Sequence, residues 1–333
     1  MIEAFNVCPT HYLTAPISGR PDESKYMKVR EVIPGVDSID QEKMDAALAP
    51  FLKVERNVFR NSDYQNQFEN DGYVVLDILN EEEIRTLLDT YGEIEENLFK
   101  MPFATLGMNS DNASKRKVSD VMKQVFADKI EEIFDDYQWF FGTFIYKYPS
   151  VKTGEGVVSL HQDATIVDES KYHGINIFCS LGTANEENGA LQVIPGSHKL
   201  NTHPRGFGQS FPYSDLERTL SSQLKRIDLN PGQAIIYTTK IFHYSEPNTS
   251  NSPRIIAAGI VGPRESTMRY CYVDRENEGK IEVFEVDSDY YLTAPFFSKP
   301  DASQYRLIEE IEIQFESLDA DVIEKKLSLS KCH

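Results

Sequence analysis

The chain has 333 residues, of which 40% are hydrophobic and 26% charged, and its formal net charge is −19 at pH 7. Because so acidic a chain repels polyanions, we expect neither a nucleic acid nor an anionic membrane surface as its partner. The length can enclose a large core, and we interpret 1–333 as one domain with terminal extensions.

The compartment is predicted from the cysteines and the amino terminus. Cys8, Cys179, Cys271 and Cys332 are scattered without a CxxC spacing, which favours a reducing cytoplasm over a disulfide-forming compartment. The first residues contain neither a basic segment nor an apolar run, and no stretch approaches the roughly 20 apolar residues of a membrane span. We therefore expect a soluble, cytoplasmic protein.

The two ends of the chain are related to each other. Residues 1–26 align without gaps on 280–305, with 13 of 26 positions identical. We define an N-terminal copy at 1–35 and a C-terminal copy with its tail at 280–333. The alternation Ile-Glu-x-Phe-x-Val predicts a strand in each copy, and Pro-Asp-x-Ser predicts a turn leading into a short helix. The copies either pair with each other or across a homodimer, or they decorate separate edges of the core.

Residues 36–139 are predicted to be a helical support region. A helix at 40–52 precedes a strand at 72–78. Asn80 then caps a helix, with Glu83 completing a capping box. Another helix is predicted at 119–134. The expected buried face of the Asn80 helix consists of Ile84, Leu87, Leu88 and Tyr91.

The pattern changes to short β runs in the segment that we assign to the core, 140–265. Runs at 140–148, 157–160, 174–181, 190–194, 233–237 and 254–261 are separated by Gly, Pro, Asn or Asp. This pattern is typical of a two-sheet jelly roll, so the predicted fold is mainly β with flanking helices. The connection at 200–225 is either a lid over a site or a solvated insertion.

Three side chains in the core segment have the spacing of a metal site. His161 and Asp163, at positions i and i+2 of an extended run, project to one face, and His243 can join them from a distant strand. Two histidines and one carboxylate on one face of an octahedron form the ligand set of non-haem iron(II) oxygenases. A His-x-Asp triplet alone is a weak signal, so its sequence context decides the interpretation.

That context resembles the phytanoyl-CoA dioxygenase family of iron(II)- and 2-oxoglutarate-dependent oxygenases. The resemblance covers 68–262 and rests on motifs in a fixed order after the His161 triplet. They are ENGALQVIPGSHK at 187–199, NPGQAIIY at 230–237, HYSEPN at 243–248, and Arg254 eleven positions after His243. The resemblance implies a double-stranded β-helix, the cupin-like form of the jelly roll.

The resemblance also implies the cofactors and their ligands. Fe(2+) is bound by the triad, and 2-oxoglutarate and O2 are consumed to give succinate and CO2. The fork of Arg254 would bind the distal carboxylate of 2-oxoglutarate, with help from the Ser245 hydroxyl. Tyr146 and Asn176 are weaker candidates for contacts to the same molecule. Because Asp163 is present, unlike in related halogenating enzymes, hydroxylation, desaturation or oxidative cyclisation is favoured.

The substrate is the least specified part of the prediction. We favour a small free metabolite, with Arg205, Arg264 and Tyr148 as candidate substrate contacts. An acyl-coenzyme A is the second reading, although no lysine-rich cluster for its phosphates is evident. The alternative in which the protein is not an enzyme is a sensor that binds iron or 2-oxoglutarate without catalysis.

Overall fold

The structure is a computed structural model. It describes residues 54 and 56–312, apart from 110, 151–153, 201–203, 208, 210, 275–276 and 296, with the backbone of 2–6 and 27–32 and the positions 323 and 327. The predicted helix at 40–52, Cys8 and Cys332 lie outside these residues.

The described helices are α1 (Ser62–Asp71), α2 (Glu81–Ile94), α3 (Asn112–Ile133), α4 (Glu217–Ser221) and α5 (Ser288–Thr293). The described strands are β1 (Ile2–Asn6), β2 (Met27–Val32), β3 (Tyr73–Asp77), β4 (Ala104–Thr105), β5 (Tyr137–Lys147), β6 (Val158–His161), β7 (Ile175–Ser180), β8 (Leu191–Val193), β9 (Lys225–Arg226), β10 (Gln233–Thr238), β11 (His243–Ser245), β12 (Arg254–Pro263), β13 (Met268–Asp274), β14 (Asn277–Val286) and β15 (Arg306–Glu312).

Two antiparallel sheets form the predicted double-stranded β-helix. The large sheet has the order β3-β10-β7-β12-β5-β4, and the small sheet has the order β6-β11-β8-β9. Phe178 and Ile235 of the large sheet pack in one buried cluster with Leu191 and Val193 of the small sheet. Since the chain alternates between the sheets as it proceeds, residues far apart in sequence are neighbours in the small sheet.

The helices cover the other face of the large sheet. Phe126 of α3 stacks on Trp139 of β5, with ring centroids 5.8 Å apart. Trp139 lies over Gly259, where a Cβ atom would approach the indole ring to 2.5 Å. The sheet therefore has two buried faces, which explains why every residue of β7 is buried.

The six predicted core strands are confirmed, whereas some helix boundaries differ. The Asn80 capping box is present, and Leu87 and Tyr91 are buried, but Leu88 is 37% exposed, so its assignment to the buried face was wrong. Helix α1 was not predicted. Helix α3 begins at Asn112 rather than 119, because Asp111 caps it by accepting backbone hydrogen bonds from two residues of the first turn.

The two terminal copies form the same β-hairpin. In the N-terminal copy, Ile2 of β1 lies opposite Val32 of β2. In the C-terminal copy, the equivalent Ile281 of β14 lies opposite Ile311 of β15. Both hairpins also have a register shift at the same position, between residues 4 and 5 and between 283 and 284. The sequence match ends at residue 26, but the structural duplication continues to residue 32.

Each copy pairs its strands internally, with β14 also pairing with β13, and no described strand of one copy pairs with the other. The strand prediction is confirmed in both copies. The short helix predicted after Pro-Asp-x-Ser is wrong for the C-terminal copy, where the turn stabilised by Asp301 enters β15. The helix of this copy is α5, which lies earlier and is capped by Asp287. Pairing with β14 outweighs the local helical signal.

Candidate active site

Two histidines face each other across neighbouring strands of the small sheet. His161 ends β6 and lies directly opposite His243 of β11, with ring centroids 4.1 Å apart. The Nδ1 atom of His161 lies 2.7 Å from the Ser159 carbonyl oxygen, and that of His243 lies 3.1 Å from the Ile241 carbonyl oxygen. Donation from Nδ1–H to these carbonyls leaves both Nε2 lone pairs free for a metal.

The electrostatics of this pair suit metal binding. Burial and the adjacent His243 ring lower the pKa of His161 to about 4, an effect that Asp163 partly opposes. His161 is therefore neutral at pH 7, which is the form that binds a metal ion.

Asp163 supplies the third donor. It follows β6, where its backbone N–H donates to the Thr239 carbonyl at 3.1 Å. Its Oδ1 atom lies 3.9 Å from His161 Nε2 and 3.7 Å from His243 Nε2. The three donor atoms lie within 4.8 Å of one another, which makes this a candidate metal centre. Two neutral imidazoles and a carboxylate are ligands that ferrous iron accepts, with the opposite positions left open.

Asn176, predicted as a contact to 2-oxoglutarate, hydrogen-bonds to Asp163, a candidate metal ligand. Its Nδ2 donates to Asp163 Oδ2 at 2.6 Å, which leaves Oδ1 to face the histidines. Such supporting hydrogen bonds orient a ligand and adjust its basicity. Asn176 also lines the cavity described below.

Replacing Asn176 with alanine is expected to weaken metal binding by about 10- to 100-fold, because Asp163 loses the bond that orients it. Calorimetric titration with Ni(2+) measures this change. Asn57→Ala, on an exposed residue outside the site, is the matched control. Equal metal affinities for the two variants would show that Asn176 does not orient Asp163.

Tyr237 is a site residue that sequence reasoning missed. Its ring lies 5.4 Å from the His243 ring, and its hydroxyl hydrogen-bonds to Asp163. Burial, together with the Asp163 charge, raises the pKa of Tyr237 well above its ordinary value, so it stays a donor. The alternation in β10 places Tyr237 on the same face as Ile235, which is the signal that could have identified it.

Arg205, a candidate substrate contact, binds the backbone that carries Asp163. Its guanidinium donates to both carboxylate oxygens of Glu169, at 2.8 and 2.6 Å, and its Nε donates to the Asp163 carbonyl at 2.9 Å. Burial alone would raise the pKa of Glu169, but the Arg205 charge and hydrogen bonds outweigh it and lower that pKa. Arg205 therefore fixes the backbone of Asp163.

Arg254 is a buried cation without an acidic partner among the described residues. It is 4% exposed, one terminal nitrogen donates to the Gly189 carbonyl, and its Nε has no hydrogen-bond partner. Burial lowers the pKa of Arg254 to about 10. Buried donors of this kind are normally satisfied, so the free donor marks a place where a carboxylate fits.

Lys147, which the sequence analysis did not single out, lies directly across the strand pair from Arg254. Its Nζ donates to the carbonyls of Gly156 at 2.7 Å, Ser245 at 3.2 Å, and Glu246. Burial, followed by the Arg254 charge, lowers the pKa of Lys147 to about 7. Two buried cations beside the buried Ser245 make this part of the core strongly attractive to an anion.

A cavity of about 220 Å³ has Asp163, one of the three candidate metal ligands, in its lining. Arg254 lies on the same face of β12 as Ala258 and Ile260, which line it. The lining is mostly apolar and includes Phe103, Leu106, Phe141, Ile145, Ile166, Phe178, Phe207, Ala258, Ile260, Tyr291 and Leu292. Its polar members are Thr105, Lys115, Thr143, Asp163, Asn176, Tyr237 and Thr239.

Three other predicted contacts lie away from this cavity. Tyr146 faces the helices, because the alternation in β5 turns it away from Thr143 and Ile145, and it packs in the helix-side core. The Tyr148 hydroxyl bonds to the Tyr91 hydroxyl at 2.9 Å, also on the helix side. Exposed Arg264 pairs with acidic side chains of the α3 end and the following turn.

A jelly roll that brings a His-x-Asp…His face together and buries an arginine with no acidic partner among the described residues has the architecture of a 2-oxoglutarate-dependent non-haem iron dioxygenase. The model of the family "Phytanoyl-CoA dioxygenase (PhyH)" matches residues 68–256. This match covers more than half of the chain, and the protein belongs to that family. The resemblance found in the sequence is thereby confirmed.

Individual relatives are more distant. The chain is 24% identical over 255 residues to "Phytanoyl-CoA dioxygenase domain-containing protein 1 homolog" of Caenorhabditis briggsae, covering 58% of this chain and 88% of that protein. It is 30% identical over 131 residues to "Dioxygenase olcK" of Penicillium canescens, covering 37% of this chain and 39% of that protein.

Among solved structures, the epimerase SnoN in complex with Fe3+, alpha ketoglutarate and nogalamycin RO has a TM-score of 0.46 at 14% identity, covering 67% of this chain and 86% of that one.

The helices described in the structure include none that combines the length and the apolar character needed to cross a membrane.

Proposed function

We propose that the protein oxidises an unactivated C–H bond of a small organic metabolite while converting 2-oxoglutarate and O2 to succinate and CO2. In a hydroxylation, one oxygen atom of O2 enters succinate and the other enters the product. Desaturation and oxidative ring closure begin at the same kind of C–H bond. The observation that carries the proposal is the convergence of His161, Asp163 and His243, in a core that also buries Arg254 with no acidic partner among the described residues.

The residues of the chain divide the work of holding the reactants. The triad would hold ferrous iron, which when bound supplies the oxidising chemistry. Arg254 and Ser245 would bind one carboxylate of 2-oxoglutarate, and the charge of Lys147 adds to this attraction. Asn176 and Tyr237 keep Asp163 oriented through hydrogen bonds.

The cavity supports a compact substrate rather than an acyl-coenzyme A. Its volume of about 220 Å³ is below the roughly 300–1,000 Å³ of pockets that enclose drug-sized ligands. The nucleotide part of a coenzyme A would have to lie outside it. Apolar walls also exclude water around the reacting carbon.

An anaerobic titration tests the proposal and separates it from a sensor. Protein loaded with Fe(2+) and 2-oxoglutarate should develop the weak visible charge-transfer band of the chelate. Admission of air with a compact metabolite should then give succinate in step with substrate consumption. A band without substrate-dependent turnover across a metabolite panel would identify a sensor, and absence of the band would refute 2-oxoglutarate binding.

The affinity for 2-oxoglutarate is expected to fall as the pH rises above about 7. The pKa of Lys147 is about 7 without the anion, and a bound carboxylate must raise it. Binding therefore takes up a proton, so affinity is highest below pH 7 and decreases by up to about tenfold per pH unit until the raised pKa is passed.

Calorimetry on the Ni(2+) form between about pH 6 and pH 9 measures this slope. His161, with its pKa near 4, does not titrate in that range. Lys147→Met should flatten the profile, whereas an identical slope in both proteins would exclude Lys147 as its source.

We also propose a reducing compartment such as the cytoplasm, supported by the free, buried thiols of Cys179 and Cys271. Thiol titration of the freshly isolated, denatured chain tests this proposal.

A homodimer through the terminal copies is a separate proposal. Light scattering after gel filtration, with and without 1–35, should show a dimer that depends on that segment; a monomer in both forms would refute it.

A further inference from the structure

The cavity wall contains a buried lysine that the proposed function does not use. Lys115, in the first turns of α3, is 4% exposed and lines the cavity. No described residue forms an ion pair or a side-chain hydrogen bond with its ammonium group. Burial lowers the pKa of Lys115, and Asp111 offsets this only in part. Asp111 itself is occupied as the helix cap, with hydrogen bonds from Ala113 and Ser114.

The neighbouring cations of the same helix are satisfied, which sets Lys115 apart. Arg116 pairs with Asp289 at 2.6 Å, and Lys117 pairs with Glu93. Both are about half exposed, where water also solvates them. Lys115 is only 4% exposed and has much less of that solvation, so a missing counter-charge costs more there than at the surface.

Helix α3 contacts the C-terminal copy on both sides of Lys115. Asn112 donates to the Thr293 carbonyl at 3.3 Å, and the Arg116 pair reaches Asp289 of the same short helix. Lys115 lies between these two anchors on α3. Helix α5 also places Tyr291 and Leu292 in the cavity lining. The copy thus builds the wall around the lysine.

Two hydroxyl groups in the wall of the same cavity can assist an anion. Thr105 and Thr143 line the cavity, and their Oγ1 atoms lie 3.1 Å apart. Each hydroxyl can donate as well as accept, so they can turn toward a bound oxygen. The carboxylate of 2-oxoglutarate already has Arg254 and Lys147, which are absent from this lining.

We propose that the substrate carries a negatively charged group of the carboxylate class, bound by Lys115 in the cavity, with its apolar body against Phe141, Ile260 and Tyr291. This assignment rests on the proposed function and narrows its substrate from a small metabolite to a small organic anion. Lys115 is then a specificity-determining residue, and the bound substrate supplies the ion pair that no described residue forms with it.

Matched probe molecules test the assignment without knowledge of the natural substrate. The protein is loaded with Ni(2+) and saturating 2-oxoglutarate, so that Arg254 and Lys147 are occupied. Cyclohexanecarboxylate and the neutral cyclohexanecarboxamide, which have nearly the same shape, are then titrated by calorimetry. The wild type should bind the carboxylate at least about tenfold more tightly than the amide, as expected for a buried charge-assisted hydrogen bond.

Three variants complete the test. Lys115→Met should remove the preference for the carboxylate, Lys115→Arg should retain part of it, and Lys117→Met, with the same change in net charge on the same helix, should retain it fully. A preference unchanged in Lys115→Met, or absent from the wild type, would overturn the proposal.

The Fe(2+)/2-oxoglutarate band should persist in Lys115→Met. Loss of the band in that variant alone would place Lys115 in the 2-oxoglutarate site and also overturn the proposal. A wild type without the band would refute the proposed function, independently of the probe result.

Discussion

Asp163→Ala is expected to abolish succinate formation and to prevent stable binding of ferrous iron. The carboxylate is the only anionic member of the triad, and it carries the hydrogen bonds from Asn176 and Tyr237. Its loss leaves two neutral imidazoles, a set that neither balances the metal charge nor fixes a face of the coordination sphere. Metal content after gel filtration and succinate release measure the two effects.

Asp89→Ala, on an exposed residue of α2, is the control and should retain both properties. Wild-type metal content and turnover in Asp163→Ala would remove Asp163 from the site. Asp163 is partly exposed and outside the main core, so Asp163→Ala should unfold at the same temperature as the wild type before metal is added. An unchanged unfolding temperature would show that the loss of metal binding is local.

Arg254→Met is expected to weaken 2-oxoglutarate binding by about two to three orders of magnitude. Removing one partner of a buried charge pair costs roughly 2–5 kcal/mol, and each 1.4 kcal/mol is about tenfold in affinity. The variant should be no less stable than the wild type without ligand, because methionine replaces a buried charge that has no acidic partner among the described residues.

This combination distinguishes a ligand-binding arginine from a structural one. Thermal unfolding with and without 2-oxoglutarate measures both quantities in one experiment. Arg264→Met is the control, since Arg264 is exposed and pairs with surface acids. An Arg254→Met protein that unfolds at a much lower temperature but still gains full stability from 2-oxoglutarate would contradict the assignment.

The convergence of the three candidate metal ligands was predictable because it depends on local geometry and on one long-range pairing. The i, i+2 spacing places His161 and Asp163 together in any extended run. His243 joins them because β6 and β11 are neighbours in the small sheet, as the jelly-roll order requires. Tyr146 shows the limit of this reasoning: neighbouring strands were assigned correctly, but one step in the alternation decides which face a side chain occupies.

The second set of cations could not be predicted in the same way. Lys147 becomes significant only through its register opposite Arg254, which no local pattern encodes. Lys115 lies in the polar first turns of α3. The apolar residues from which the helix was predicted lie further along it, so its start was predicted at 119 rather than at Asn112. The place of Lys115 in the cavity wall, with Tyr291 and Leu292 of α5, depends on a helix from a distant part of the chain.

The terminal duplication was visible in the sequence, but only the structure shows where the C-terminal copy lies. Its alternation gave the strands, but not the position of the C-terminal copy beside the cavity. The family model ends at 256, whereas Tyr291 and Leu292 line the cavity. This part of the cavity wall therefore lies outside the residues that the family model matches.

The most direct measurement is anomalous X-ray scattering at the iron edge from anaerobic crystals grown with Fe(2+) and 2-oxoglutarate. The expected result is one peak within bonding distance of His161 Nε2, Asp163 Oδ1 and His243 Nε2, with a carboxylate of 2-oxoglutarate on Arg254. Iron bound elsewhere, or these three side chains turned apart in an iron-loaded crystal, would contradict the assignment of the chain's active site.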